Sequence, residues 1–383
     1  MTALLVTNDF PPTVGGIQSY LRDFADKYVN LRGPESLVVF ASTQDKKEAA
    51  LFDASVPYPV HRWHASVMLP TPATVHRMTE LIREHNITTV WFGAAAPLAV
   101  MARAARRAGA TKIVASTHGH EVGWSMVPGA RQALRCIGNS ADTVTYISDY
   151  TLRRFGRAFG AHPDFVHLPS GVDTDFFQPA TEDEKRAARV RHGLGDGPLV
   201  VVASRLVARK GQDRLIECWP AVRNAVPGAR LAVVGEGCYG KRLRRLAGQH
   251  GVRDDVMFLG HLPREEMRAI VASADTMAMP ARTRGGGLDV EGLGIVYLEA
   301  QACGVPVIAG RSGGAPETVT DETGIVVDGN NRGEIVDAVC SLLRAPERRQ
   351  AMGEAGRAMV CERFSWAVLV DRLAQCLEPG ARS

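Results

Sequence analysis

The sequence has no apolar run approaching the roughly 18 residues of a membrane span, no low-complexity segment and no C-x-x-C pair. Each absence excludes something. Without a span, any contact with lipid has to come from the membrane surface. Without paired cysteines, the seven that are present (Cys136, Cys218, Cys238, Cys303, Cys340, Cys361 and Cys376) read as reduced, mostly buried thiols of a cytoplasmic protein. Net charge is also scarce, +4 over 383 residues, which excludes wholesale nucleic-acid binding. The small basic excess lies in the first 169 residues, with 17 Lys and Arg against 13 Asp and Glu and 8 of the 11 histidines. Such a bias fits an anionic acceptor or an anionic membrane surface. The opening MTALLVTNDFPP has no basic start and too short an apolar run for a signal peptide.

With 45% hydrophobic and 22% charged residues, the composition is that of a folded globular chain, with disorder expected only at the last few residues. Its length predicts two domains. Apolar strands are expected at residues 3–7, 37–41, 89–93, 112–116, 143–147 and 165–168. A second set is expected at 199–204, 231–235, 256–259, 275–280, 305–309 and 324–327. Helical periodicity separates many of them, and the alternation implies two parallel sheets, each covered on both faces. The Pro169 to Pro179 segment, PSGVDTDFFQP, is the expected boundary. This gives one domain of residues 1–169 with a terminal helix at about 365–383, and another of 170–364. Asp173 and Asp175 form a D-x-D string there, read as turn chemistry because no other ligand cluster accompanies it.

The densest chemistry lies in Arg282 to Gly304, RTRGGGLDVEGLGIVYLEAQACG. An expected strand ends at Pro280, so three glycines sit where open α/β sheets bind ligands. Gly285, Gly286 and Gly287 let backbone N–H groups approach an anion. A helix expected from about Glu291 places Glu299 eight residues on, roughly two turns deeper on the same face. Backbone donors plus two carboxylates suit a sugar attached to a diphosphate. In the same half, RLVARKG follows an expected strand and offers Arg205, a planar fork, and Lys210, a point charge, to a diphosphate. Gly235-Glu236-Gly237 reads as a turn open to a base or ribose, and Gly313-Gly314 as a further helix opening.

In the first half, NDFPPTVGG follows the first strand, and no G-x-G-x-x-G stands there. Gly15 and Gly16 instead expose a bare helix N-terminus suited to phosphate. His118, in THGHE after another strand, is placed to donate to a sugar hydroxyl or carbonyl. Residues 62–78, with Trp63, Val67, Met68 and Leu69 beside Arg62 and His64, read as a surface loop that also suits lipid headgroups.

These residues add up to glycosyl transfer from a nucleotide sugar. The motifs D-F-P-P-x-x-G-G, T-H-G-H-E, S-R-L-V-x-R-K-G, V-G-x-G and E-G-x-G-x-x-x-x-E resemble glycosyltransferase family 4, over nearly the whole chain. The stretches NDFPPTVGGIQSYLRDF, WFGAAAPLA and ASTHGHEVGWSM are similar to the actinobacterial GDP-mannose-dependent phosphatidylinositol mannosyltransferases. The resemblance implies the GT-B fold, two Rossmann-like domains facing a central cleft, and retention of anomeric configuration. It implies GDP-mannose as donor, phosphatidylinositol monomannoside as acceptor, an α-1,6 link and work at the cytoplasmic face of the membrane. No tightly bound cofactor, metal or nucleic acid is implied.

By that resemblance His118, Arg205, Lys210 and Glu291 carry catalysis. The donor meets Gly16, Arg205, Lys210, Gly235, Gly287, Glu299 and the run Glu291, Gly292, Leu293, Gly294, Ile295. The acceptor meets Asp9, Gly15, Gln18 and His118. Another lipid acceptor, such as a glucuronosyl diacylglycerol, stays open, as do a nucleotide-sugar epimerase and a non-catalytic binding protein. A covalent nucleophile is not expected, since no carboxylate is placed for one.

Overall fold

A computed structural model describes residues 2–378. The chain divides into two compact units, one running to Ser170 and resuming at Trp366, the other spanning Gly171–Ser365. The last five residues of the expected terminal helix lie outside the described residues.

The first unit is built on seven strands: β1 (Ala3–Thr7), β2 (Leu37–Ala41), β3 (Val60–Arg62), β4 (Thr89–Phe92), β5 (Lys112–Ser116), β6 (Thr143–Tyr146) and β7 (Asp164–His167). They pair in parallel in the order β3-β2-β1-β4-β5-β6-β7. β1 is buried throughout, and its side chains alternate between two cores. Ala3 and Leu5 join Leu21 and Phe24 of the helix Gly16–Arg32, while Leu4 and Val6 join Met78 and Leu81 of the helix Pro72–Glu84.

The second unit repeats the plan with β8 (Leu199–Ala203), β9 (Arg230–Val234), β10 (Val256–Gly260), β11 (Thr276–Met279), β12 (Val307–Gly310) and β13 (Gly324–Val327), in the parallel order β10-β9-β8-β11-β12-β13. Each sheet therefore reverses direction beside its first strand, between β1 and β4 in one and between β8 and β11 in the other.

Two features differ from expectation. β3 is a strand of three half-buried residues at the sheet edge, carrying His61 and Arg62 and lacking an apolar run. The lipid reading of residues 62–78 is overturned for its central residues. Met68 is fully buried, Trp63 packs edge-on against Phe40, and Arg62 is ion-paired with Asp53 at 2.7 Å. Val67 and Leu69 do remain exposed.

The helix Trp366–Leu377 closes the first unit from the far end of the chain. Leu369, Leu373 and Leu377 are fully buried in the same core as Leu5 and Phe24, and the carbonyl of Leu377 accepts from Thr89 Oγ1 at 2.8 Å. Deleting a buried leucine side chain costs about 2–5 kcal/mol where the site cannot collapse. Leu373→Ala is expected to lower stability by that amount in urea denaturation followed by circular dichroism. A loss below about 1 kcal/mol would show that the helix does not complete this core.

Candidate functional site

Two clusters of polar side chains lie at the carboxyl edges of the sheets, one beside each reversal of strand order. In the second unit the loop after β8 and the loop after β11 meet. Lys210, 8% exposed, places Nζ 2.6 Å from Oε2 of Glu291, itself 6% exposed. Arg209 brings Nε to 3.9 Å from the same oxygen and Nη1 to 3.8 Å from Asp289. The Arg209 contacts exceed hydrogen-bond length, so Arg209 Nε is buried without a hydrogen-bond partner among the described residues, while Glu291 Oε2 is held by the ammonium of Lys210. A buried donor left in this state at a sheet edge is a polar valence available to a ligand. Arg205 stands exposed in the same loop, five positions before Lys210.

Glu291 is held by its backbone. Its N–H donates to Ser312 Oγ at 3.3 Å, and its carbonyl accepts from Gly314 N at 2.9 Å. Gly313, with φ +58, lies so near that a Cβ there would sit 1.8 Å from the Glu291 carbonyl oxygen. The Gly313-Gly314 pair therefore serves close approach to Glu291. It leads into only a short 3-10 turn, Ala315–Thr318, in place of the further helix expected there.

The helix expected from Glu291 starts four residues later, at Ile295, and runs to Ala302. Gly294 is left-handed at φ 88 and breaks the helical path, so Glu291 belongs to the preceding loop and does not share a helix face with Glu299. The helix opens with no side-chain cap, behind Gly292 and Leu293. A Cβ on Gly294 would lie 2.5 Å from the Tyr297 ring, so position and conformation both require glycine. Glu299 is half-exposed by surface area, yet desolvation of its carboxyl raises its pKa from 4.5 to about 7.

The triple-glycine loop behaves differently from the expected amide cradle. Gly285, Gly286 and Gly287 have φ of 56, 63 and 93, and the turn is tied by Arg284 N to Asp289 O at 2.9 Å. The amides of Gly287, Leu288 and Asp289 are spent on carbonyls within the turn. Gly235 and Gly237 are likewise used by the chain itself. A Cβ at either would come within 2.4 Å of a carbonyl in the Ser204–Leu206 backbone, so this turn is packed against the loop after β8. Gly235 to Gly240 spells G-x-G-x-x-G between β9 and the helix Gly240–Gln249, which a search of the first strand-turn-helix unit alone passes over.

Beneath these loops lies a network that the linear sequence does not signal. Arg282, after β11, donates two hydrogen bonds to Asp213, at 2.9 and 2.6 Å, and Tyr239, after β9, donates to Asp213 at 3.2 Å. Asp213 begins the helix Gln212–Ala225 behind the β8 loop, so one buried carboxylate ties three strand-end loops together. The paired residues are 69 positions apart, beyond any local pattern.

In the first unit, Asp9, Gln18 and His118 gather around the ends of β1, β4 and β5. Gln18 Nε2 donates to Asp9 Oδ1 at 2.9 Å, and burial raises the pKa of Asp9. Gly15 is extended and precedes Gly16, the first residue of a helix with no cap and no acid in its first turn. His118 packs edge-on against Tyr20, and its Nε2 lies 2.7 Å from the carbonyl of Gly93. Burial depresses its pKa to about 4, so the ring is neutral at pH 7. A carbonyl can only accept, so the Nε2 proton is committed to Gly93 and Nδ1 is the acceptor nitrogen. The expected donor role of His118 is corrected to that of an acceptor. Glu121, fully buried, receives the amides of His118 and Gly119 on Oε2 and fixes the loop.

Among the described residues no group of three His, Cys, Asp or Glu is placed to hold a metal ion. Asp173 Oδ1 accepts from Phe176 N at 3.1 Å, the turn geometry expected of the D-x-D string.

The buried Lys210–Glu291 pair makes a prediction of its own. Removing one partner strands a charge, at about 3–5 kcal/mol, whereas removing both does not. Lys210→Met and Glu291→Gln are each expected to destabilise more than their combination implies, with a coupling above about 1 kcal/mol in a double-mutant cycle. Additive losses would mean that the two side chains do not pair in solution.

Known proteins can be set beside this geometry. Residues 14–176 match the model described as Glycosyltransferase Family 4, and residues 184–359 the model described as Glycosyl transferases group 1. A GDP-mannose-dependent monoacylated alpha-(1-6)-phosphatidylinositol monomannoside mannosyltransferase of Corynebacterium glutamicum is 59% identical, across 99% of this chain and 98% of its own. The corresponding GDP-mannose-dependent enzyme of Mycolicibacterium smegmatis is 55% identical, across 98% and 97%. Among solved structures, HepE of Anabaena in complex with UDP aligns with a TM-score of 0.80 at 21% identity, over 98% of this chain and 99% of that one. A glycosyltransferase of Rickettsia africae aligns with 0.79 at 17%, over 100% and 99%. These two distant structures bear on the fold, and the near-full-length relatives on descent: the chain is a member of glycosyltransferase family 4, with the GT-B fold.

Proposed function

We propose that this protein transfers mannose from GDP-mannose to phosphatidylinositol monomannoside, through an α-1,6 link, at the cytoplasmic face of the cell membrane, in the making of phosphatidylinositol mannosides and the lipoglycans built on them. The observation that carries the reading is the buried, unfilled Arg209 Nε beside the Lys210–Glu291 ion pair, where the second sheet reverses its strand order. Leaving such a donor unpaired costs about 1–3 kcal/mol. A polyol joined to a diphosphate supplies phosphate oxygens for it and for Lys210, and hydroxyls for Glu291. Mannose, guanine and the lipid are supported by the names of relatives 53–59% identical over nearly the full chain.

In this reading Arg205 and Lys210 bind the diphosphate and stabilise the charge that builds on it as it leaves. Glu291 accepts mannose hydroxyls, and Glu299 accepts those of the ribose. The backbone from Gly292 to Ile295 and the uncapped helix end at Gly16 meet phosphate oxygens. Gly235 acts indirectly, by letting the strand-end loops approach one another, and Gly287 by shaping the turn before Glu291. Asp9, Gln18 and the turn at Gly15 receive the acceptor's hydroxyls, and His118 takes a hydrogen bond on Nδ1.

Retention follows from front-face attack. The acceptor hydroxyl oxygen bonds to the anomeric carbon on the side from which the diphosphate departs. The carbon–oxygen bond to the β-phosphate breaks with its electron pair on the phosphate, and that oxygen takes the hydroxyl proton. No protein nucleophile is required. Lys210, as a fixed cation, favours the departing charge over the intact donor, which is the condition for catalysis.

The test is transfer of labelled mannose from GDP-mannose to purified phosphatidylinositol monomannoside, with phosphatidylinositol and UDP-glucose as parallel controls. A dimannosylated lipid is expected only with GDP-mannose, and Glu291→Ala is expected to lower kcat/KM by at least about a hundredfold. GDP release with other acceptors but none with this lipid would overturn the acceptor. The titration of Glu299 adds a second expectation. Its carboxyl is mostly protonated at pH 6 and mostly ionised at pH 8. Ribose hydroxyls donate to the ionised form, so the KM for GDP-mannose is expected to fall severalfold, toward about tenfold, over that interval. Glu299→Gln is expected to flatten the profile; an unchanged slope would remove Glu299 from the ribose.

A further inference from the structure

Three helices of the first unit, Glu121–Met126, Pro128–Gly138 and Asp149–Phe159, pack on one another beside the loop that carries His118. Their buried sides are apolar, with Leu134, Ile137, Phe155 and Phe159 in the core. Their outer sides are basic. Pro128–Gly138 carries Arg131 and Arg135 and no acid, and Asp149–Phe159 carries Arg153, Arg154 and Arg157 with the single acid Asp149 in its first turn. Two adjoining hollows, of about 590 and 320 Å³, share Ser125 and Arg131. Arg153, Arg154 and Arg157 line one, and Arg135 and Met126 the other. At the rim, the turn between the first two helices exposes Met126 at 60% and Val127 at 57%.

We infer that this face is where the protein docks on an anionic phospholipid bilayer, with Met126 and Val127 entering the interface and the arginines meeting lipid phosphates. Three observations select this occupant. A cluster of arginines with one acid among them is complementary to an anionic surface, and guanidinium forks suit phosphate. An exposed apolar turn at the rim is useless to a soluble anion or to nucleic acid, yet gains from burial at a headgroup boundary. The face also follows the acceptor loop along the chain, since the helix of Glu121 starts three residues after His118. The helix Pro72–Glu84 of this unit lacks the charge bias, because its Arg77 and Arg83 are balanced by Glu80 and Glu84.

The inference rests on the proposed lipid acceptor only for why a membrane is near, and its test needs neither GDP-mannose nor a mannosylated lipid. The native chain is co-sedimented with vesicles of phosphatidylcholine alone and of phosphatidylcholine with phosphatidylglycerol, at about 50 and about 300 mM salt, where screening differs strongly. Binding to the anionic vesicles that weakens with salt is expected, with little binding to the neutral ones. The double variant Arg131→Gln, Arg157→Gln is expected to bind about 30-fold more weakly, from about fivefold per basic residue at such a surface. Met126→Ser with Val127→Ser is expected to weaken binding as well. The control Arg77→Gln, Arg83→Gln makes the same charge change elsewhere on the unit and is expected to leave binding intact. Unchanged partition of the Arg131 and Arg157 variant, equal loss in the control, or equal binding of the native chain to neutral vesicles or to an oligonucleotide would each overturn the inference. Circular dichroism and urea denaturation check the variants' fold, and are expected to match the native chain. A chain that binds vesicles normally but transfers no mannose would sink the functional reading alone.

Discussion

A carboxylate and an ammonium buried against each other, at the point where a parallel sheet reverses its strand order, are the constraint on which the second unit is arranged. Neither charge is tolerable there alone. Lys210 must be brought from the loop after β8 and Glu291 from the loop after β11, and those strands are neighbours in the sheet. Much of the surrounding sequence serves that meeting. Gly313 lets the loop after β12 touch the backbone of Glu291, Gly294 turns the chain from Glu291 into its helix, and Asp213 clamps Arg282 and Tyr239 beneath. Even so Arg209 Nε, buried beside the pair, keeps an open valence. A protein that tolerates that deficit at one sheet edge has a site made for a polar ligand.

The first unit solves a different problem with the same architecture. In its cluster of Asp9, Gln18 and His118, burial raises the pKa of the carboxyl and keeps the imidazole uncharged. Such a lining suits uncharged hydroxyls, whereas the Arg205 and Lys210 loop suits a diphosphate. Charge is instead concentrated on the outer helices of this unit, away from the core.

Much of the strand framework was legible because buried parallel strands read as short continuous apolar runs. Strands such as Ala3–Thr7 and Gly324–Val327 begin and end where the residue pattern places them. β3 escaped because three half-buried residues at a sheet edge leave no such run. Lys210, Glu291 and His118 were legible from their positions after strands, and Asp9 and Gln18 only through the family resemblance. What they do there was less so. Glycine marks either a ligand cradle or a tight crossing of backbones, and only the fold separates the two. Gly235, Gly237 and Gly313 proved to be crossings. His118 shows the same limit at the level of one atom, since no pattern of residues tells which ring nitrogen is already bonded to Gly93. Arg209, Ser312 and the Asp213 network depend on contacts far apart along the chain.

The helix Trp366–Leu377 completes the core of the unit that begins the chain. On a ribosome the first sheet therefore emerges with one face covered only in part, by the helix Gly16–Arg32, and stays so while nearly two hundred further residues are made. The second unit has all its own strands before that helix exists. Assembly order thus departs from the order of synthesis: the unit made first is the one finished last, and an amino-terminal fragment ending at Ser170 would carry an apolar face that only the distant helix can cover.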